Sequence, residues 1–190
     1  MKKIKMIIAA VAIAAFGTSA SAQYWGESEV TNYIYAGYSS FKMGETMPGV
    51  HLGLGDINQI NMGNWFWDYN VDFAYNWKSN DFVKTKAWSG RIGMDLLYKI
   101  DASENVFVFP FVGIASRNYL YGKSTVMGED FNWFSNNGYD GSRYQVCAQA
   151  GVHTFIGSIM LRAEYQYYFT KVFSGGDKAS CIMLSVGYRF

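Results

Sequence analysis

The run Trp65 to Lys78 constrains this chain more than any other feature, because it alternates without a break. Trp65, Trp67, Tyr69, Val71, Phe73, Tyr75 and Trp77 hold one parity. Phe66, Asp68, Asn70, Asp72, Ala74, Asn76 and Lys78 hold the other. A period of two places these sets on opposite faces of a β-strand. The apolar face has rings at both ends and Val71 in the middle. A strand that meets two interfaces and crosses a hydrocarbon centre reads this way.

Four more segments follow the rule. In Trp88 to Ile100, the residues Ile92, Met94, Leu96, Tyr98 and Ile100 oppose Arg91, Gly93, Asp95 and Lys99. In Arg143 to Phe155, Tyr144, Val146, Ala148, Ala150 and Val152 oppose Gln145, Cys147, Gln149, Gly151 and His153. Ile159 to Thr170 sets Leu161, Ala163, Tyr165, Tyr167 and Phe169 against Arg162, Glu164, Gln166 and Tyr168. Ser180 to Phe190 sets Ile182, Leu184, Val186, Tyr188 and Phe190 against Cys181, Ser185, Gly187 and Arg189.

Three segments alternate less cleanly. Thr31 to Ser40 mixes its faces, and Val50 to Ile57 sets Val50, Leu52 and Leu54 against His51, Gly53 and Gly55. Val106 to Tyr119 starts apolar on both faces and contains Pro110, which has no N–H to donate to a ladder. A bulge at Pro110 would exchange the faces, turning Phe107 and Phe109 outward together with Val112 and Ile114.

Eight strands result, an even number, which lets one antiparallel chain close on itself. The connections Phe41–Pro48, Lys78–Ala87, Leu120–Ser142 and Lys171–Ala179 are long. Those at Asn58–Asn64, Asp101–Asn105 and Ile156–Ser158 are short. Membrane barrels show this asymmetry between outer loops and periplasmic turns. Composition agrees: 18% of residues are aromatic, yet mean hydropathy is −0.04, as expected when lipid-facing and polar residues alternate. A soluble lipocalin-like barrel would need the ring-rich face inside, overfilling a small lumen and leaving the charges outside among the remaining rings. The fold class expected is therefore all-β, an eight-stranded antiparallel transmembrane β-barrel.

The first residues stand apart. Lys2, Lys3 and Lys5 precede the apolar run Met6 to Phe16, and Ala20-Ser21-Ala22 supplies a small-x-small cleavage site. The run is shorter than the roughly 20 residues of a membrane helix. Residues 1–22 are expected to be a signal peptide and 23–190 the barrel domain, with no cysteine at the cleavage site to carry a lipid. Cleavage removes three lysines from a chain of 16 Lys+Arg and 15 Asp+Glu, leaving it weakly acidic. Nucleic acid, which selects a strong basic excess, is not an expected partner.

The leader, the ring-flanked strands, Pro110-Phe111-Val112-Gly113 and the terminal Val186-Gly187-Tyr188-Arg189-Phe190 together resemble the small eight-stranded outer-membrane barrels typified by the OmpA transmembrane domain and OmpX. The resemblance implies a bacterial outer-membrane location and lipid partners. It also implies that Val186, Tyr188 and Phe190 are read by the barrel-assembly machinery. It leaves the activity open, since the family includes structural proteins, adhesins, narrow pores and lipid-modifying enzymes. The chain stops at its last strand, so no peptidoglycan-binding domain is expected.

With these phases, Asp68, Asp72, Arg91, Asp95, Lys99, Arg143, Arg162, Glu164 and Arg189 all point into the lumen. Charges withdrawn from lipid must pair or meet trapped water, so they form a salt-bridged plug or line a narrow pore. An eight-stranded interior is just wide enough for side chains to fill, which favours the plug. Asp68, Lys99 and Arg189 lie toward the periplasmic end, where bulk water is expected to reach them.

No catalytic residue, metal ligand set or cofactor is expected. Lipid A acyl chemistry needs a histidine beside a serine or acid at the surface or mouth. Only His51 and His153 are present, and Thr154 follows His153. Cys147 and Cys181 fall on the sixth and eighth strands. A flat sheet would separate those strands by about 9.6 Å against a disulfide limit near 7 Å; curvature shortens this, and their pairing stays open. In the loop Leu120–Ser142, Tyr121, Phe131, Trp133, Phe134 and Tyr139 combine rings with polar neighbours. That mixture suits either recognition of an external ligand or a lid over the barrel mouth.

Overall fold

The computed structural model describes residues 30–60, 63–134, 142–173 and 176–190. The expected signal peptide lies outside them. The described chain forms ten strands: β1 (Val30–Met43), β2 (Glu45–Gln59), β3 (Trp65–Ser79), β4 (Val83–Tyr98), β5 (Ile100–Ser103), β6 (Val106–Val126), β7 (Glu129–Asn132), β8 (Tyr144–Ile156), β9 (Ile159–Tyr168) and β10 (Ser180–Arg189). Neighbours pair antiparallel in the order β4-β3-β2-β1-β10-β9-β8-β6. The β4–β6 ladder closes the ring, so each of its eight strands has a neighbour on both sides. β5 continues β4 along the same edge of β6, and β7 folds back onto the other edge of β6, beyond the stretch that β8 pairs. The barrel has eight strands.

The outward face has three zones. Trp65 and Tyr98 stack edge to face at 5.1 Å near the end that carries both termini. Leu52, Ile92, Val112, Ile114, Leu184 and Val186 form an exposed aliphatic band. Tyr75, Trp77, Trp88 and Tyr121 form a second ring toward the opposite end, with Tyr75 and Trp88 centroids 4.6 Å apart. Two aromatic girdles about an apolar band are what a membrane requires of a barrel exterior.

Two expected loops are strand instead. Phe41–Pro48 pairs across a hairpin tip at Gly44, which takes φ 75°. Lys78–Ala87 pairs down to Ser79↔Lys84. The barrel wall thus extends beyond the outer girdle, and the long connections are those after β7 and after β9. That asymmetry marks their end as the outer one.

Pro110 makes no bulge. Its pairing with Val152 is in register, and Phe107, Phe109 and Phe111 hold the inward parity while Pro110, Val112 and Ile114 hold the outward one. The missing donor is absorbed on the other edge. There Leu97↔Phe111 and Ile100↔Val108 are in phase, and the ladder lapses between them, where β4 gives way to β5. The irregularity sits elsewhere, at Leu120, an extra residue between Ser89↔Tyr119 and Trp88↔Tyr121.

Candidate functional site

The lumen is filled in three layers. β1 brings Tyr33 and Tyr35 inward opposite Gly55 and Gly53 of β2. A Cβ at either glycine would overlap the tyrosine ring lying across it, so the rings pass over β2 and reach β3. The Tyr33 hydroxyl donates to Asp68 at 2.7 and 2.8 Å, and the Tyr35 hydroxyl to Asp72 at 3.3 Å.

The middle layer is ionic. Arg91 of β4 donates to Asp72 at 2.5 Å, Glu164 at 2.7 Å and Gln149 at 2.5 Å. Arg162 of β9 bridges Asp68 at 3.4 Å, Asp95 at 3.2 Å and Glu164 at 2.5 Å. Asn70 donates to both Asp68 and Asp95, at 3.0 and 2.9 Å. Gln149 donates to Asp95 at 2.6 Å. Four carboxylates and two guanidinium groups therefore share one network at 0–3% exposure.

Apolar layers lie on either side. Toward the termini, Phe66, Phe109 and Phe155 meet edge to face at 5.4 and 5.7 Å, with Ile57, Leu97, Phe111 and Met160 beside them. Toward the outer end, Phe41, Tyr119, Trp133 and Tyr168 close over the network with Cys147, Cys181 and Met183. Trp133 is 2% exposed, lies over Gly122 where a Cβ would collide with it, and donates its indole N–H to Ser124 at 2.9 Å.

Of the charges expected in the lumen, Asp68, Asp72, Arg91, Asp95, Arg162 and Glu164 meet in this network. Asp68 is fully buried rather than water-exposed, because Phe66, Phe109 and Phe155 stand between it and the periplasmic mouth. Lys99 and Arg189 stay below that aromatic layer, each over the Phe107 ring, at 4.7 and 5.5 Å. They rim a cavity of about 280 Å³ walled by Ile57, Phe66 and Phe155. Arg143 does not belong to the lumen: it precedes β8 at the outer rim, is exposed, and lies over Phe134 at 5.3 Å.

Arg117 is the lumen charge that the sequence reading missed. It is fully buried between Phe41 and Tyr168, at 5.4 and 5.5 Å, and donates to Gln166 at 3.1 Å. Outward Val112 and Ile114 already implied its inward parity.

The expected loop contacts divide. Tyr121 is exposed on β6, Phe131 and Phe134 are half-buried, and Trp133 is a buried lid rather than a contact. Tyr139 lies outside the described residues. Val186, Tyr188 and Phe190 all face outward, and the Phe190 N–H donates to Asn32 at 3.0 Å. Cys147 and Cys181 are free thiols.

Two clusters hold residue types that do chemistry elsewhere. His51 Nε2 lies 2.7 Å from Ser185 Oγ, but both are buried in the lumen and His51 Nδ1 has no partner among the described residues. The ligand atoms of Asp68, Asp95 and His153 lie within 4.8 Å of one another. Arg162 already occupies both carboxylates, so a metal ion there would have to displace a guanidinium group.

A family model described as outer membrane protein beta-barrel domain matches residues 8–190. The chain belongs to that family. No curated protein matches the sequence. Among solved structures, this outer-membrane barrel is similar to Neisserial surface protein A, with TM-score 0.56, 15% identity, and coverage of 86% of this chain and 97% of that one. It is similar to Ail of Yersinia pestis, with TM-score 0.51, 17% identity, and coverage of 86% and 99%. It is also similar to the outer membrane enzyme PagL, with TM-score 0.53, 13% identity, and coverage of 82% and 98%. Likeness at these identities is likeness of fold, and this fold serves both surface proteins and an enzyme. The protein is an outer-membrane β-barrel of bacterial type.

Proposed function

We propose that this barrel is a closed, non-conducting scaffold that presents its outer rim for contact. The supporting observation is the middle layer. Arg91 and Arg162 are each bonded to more than one carboxylate, at 1% and 3% exposure, with aromatic layers above and below. A hydrated ion would have to part all three layers and break charge-assisted bonds in a low-dielectric interior. The outer rim, in contrast, exposes Phe82 at 66% and Met127 at 81%, joined by the Met127 N–H donating to the Phe82 carbonyl at 3.0 Å. Apolar groups held together at two adjoining hairpin tips suit contact with a partner surface.

Planar-bilayer recording tests this reading. The unmodified protein is expected to be silent under applied voltage; large, steady conductance would overturn the plug and establish a narrow pore.

Phe190, with Tyr188 and Val186, is proposed as the edge read during assembly. Deleting Phe190 should lower folded yield in cells while leaving refolding from denaturant into detergent nearly unchanged. Equal loss in both settings would reduce it to a packing residue.

A further inference from the structure

Three lysines share the outward face above the outer girdle. On β4, Lys84 and Lys86 hold the same parity as Trp88. The register sets Lys86 directly opposite Trp77 on β3 and Lys123 on β6, and Lys84 opposite Thr125. Trp88 and its cross-strand partner Tyr121 lie just below them, 49% and 41% exposed. A two-residue step along a strand rises about 7 Å. On β4, Lys86 therefore starts one step above Trp88, paired with Trp77 at the top of the girdle, and Lys84 two steps above it, within reach of one headgroup layer when their stems bend toward it.

Like charges directly opposite across an antiparallel pair repel, with Cβ atoms about 5 Å apart. Lys86 and Lys123 are such a pair. One carboxylate relieves part of this: Asp130 accepts from Lys123 at 2.7 Å and from Thr125 at 2.7 Å. These bonds hold its carboxyl below the usual range and raise Lys123. Lys84 and Lys86 form no ion pair among the described residues, so two positive charges remain. They stand where the external leaflet of an outer membrane places its lipid phosphates.

We propose that Lys84, Lys86 and Lys123 bind the phosphates of an outer-leaflet glycolipid of the lipid A type. Its acyl chains lie against Trp88, Tyr121 and the aliphatic band at Ile92 and Val112. The arrangement supplies both halves of such a ligand: cations at headgroup height and a ring-edged apolar wall beneath them. A free phosphate would meet the lysines alone, in open water, where exposed charges are strongly screened. The site lies on the outer wall, so it stands whether or not the lumen conducts.

The test is a titration of the whole mature barrel in dodecyl maltoside micelles, followed by the backbone amide resonances of Lys84, Lys86 and Lys123. Lipid A should shift these resonances saturably, and dephosphorylated lipid A should not. Lys84→Gln combined with Lys86→Gln should weaken the response roughly thirty-fold, the ordinary strength of two basic residues at an anionic lipid surface. Lys42→Gln combined with Lys178→Gln, exposed at the same end on β1 and in the connection before β10, should leave it unchanged. Heat-modifiable gel migration verifies that each variant is a closed barrel. Equal response to dephosphorylated lipid A, or from the Lys84 and Lys86 double variant, would overturn the site. Equal shifts with inorganic phosphate at matched concentration would overturn the lipid as its ligand.

Discussion

Arg162→Met should destabilise the barrel by about 3–5 kcal/mol, the usual cost of removing one partner from a buried ion network. Among the described residues, Arg162 is the only group that touches Asp68, Asp95 and Glu164 together. Arg91 reaches Glu164 but neither of the other two through a salt bridge. Without Arg162, two buried carboxylates keep only neutral donors: Tyr33 and Asn70 for Asp68, and Asn70 and Gln149 for Asp95. They would recruit water and cations, so cation-selective conductance should appear in a planar bilayer as the denaturant midpoint falls. Asp68→Asn with Asp95→Asn in the Arg162→Met background should recover much of the stability and abolish the current. An Arg162→Met protein as stable and as silent as the parent would show that the middle layer does not hold the lumen shut.

The second large effect is expected on the other side of the same wall. Leu184 is 52% exposed on β10, flanked by Ala163 of β9 and Tyr38 of β1. A lysine at the midplane of a barrel's lipid face costs about 2–4 kcal/mol. Leu184→Lys and Ile92→Lys should each lower the unfolding midpoint in lipid vesicles by that amount. The inward neighbour Ser185 loses one hydrogen bond, to His51, when changed to alanine. Ser185→Ala should cost only about 1 kcal/mol. If Ser185→Ala proved the more damaging of the pair, the facing of β10 would be reversed.

The facing of β3, β4, β8, β9 and β10 was legible because each follows period two with a charge or amide at the inward parity. The first strand was not, for a physical reason. Tyr33 and Tyr35 point inward, and rings on that side look like a broken pattern until Gly53 and Gly55 are seen beneath them. That contact joins different strands, so no window along the chain displays it. The same holds for the aromatic layers. Phe66, Phe109 and Phe155 sit far apart in sequence and close the periplasmic side only together. A lumen read as uniformly polar therefore left Asp68 in water, where the structure buries it. Pro110 misled in the opposite direction. Its missing donor suggested a bulge, whereas the ladder lapses between β4 and β5 with the register kept. Arg117 was implied by the outward parity of Val112 and Ile114, yet it stands apart from the acidic network, with rings and Gln166 as its neighbours.

The tyrosines that cross β2 also bear on the order in which the interior charges find their partners. Tyr33 and Asp68 are 35 residues apart, and Tyr35 and Asp72 are 37. The first three strands therefore hold both carboxylates through neutral donors alone, the two hydroxyl groups and the Asn70 amide. Arg91 arrives with the fourth strand, 19 residues after Asp72. Arg162 lies 94 residues beyond Asp68 and comes on the strand next to last. Bringing such distant segments together carries the larger loop-closure cost, and the final pairing, β10 onto β1, completes the ring. A half-formed sheet thus carries negative charge on its concave side, which disfavours burial in lipid. Arg162 arrives only one strand before the two ends of the sheet join, so the buried carboxylates gain their last cationic partner close to the moment at which the barrel becomes whole.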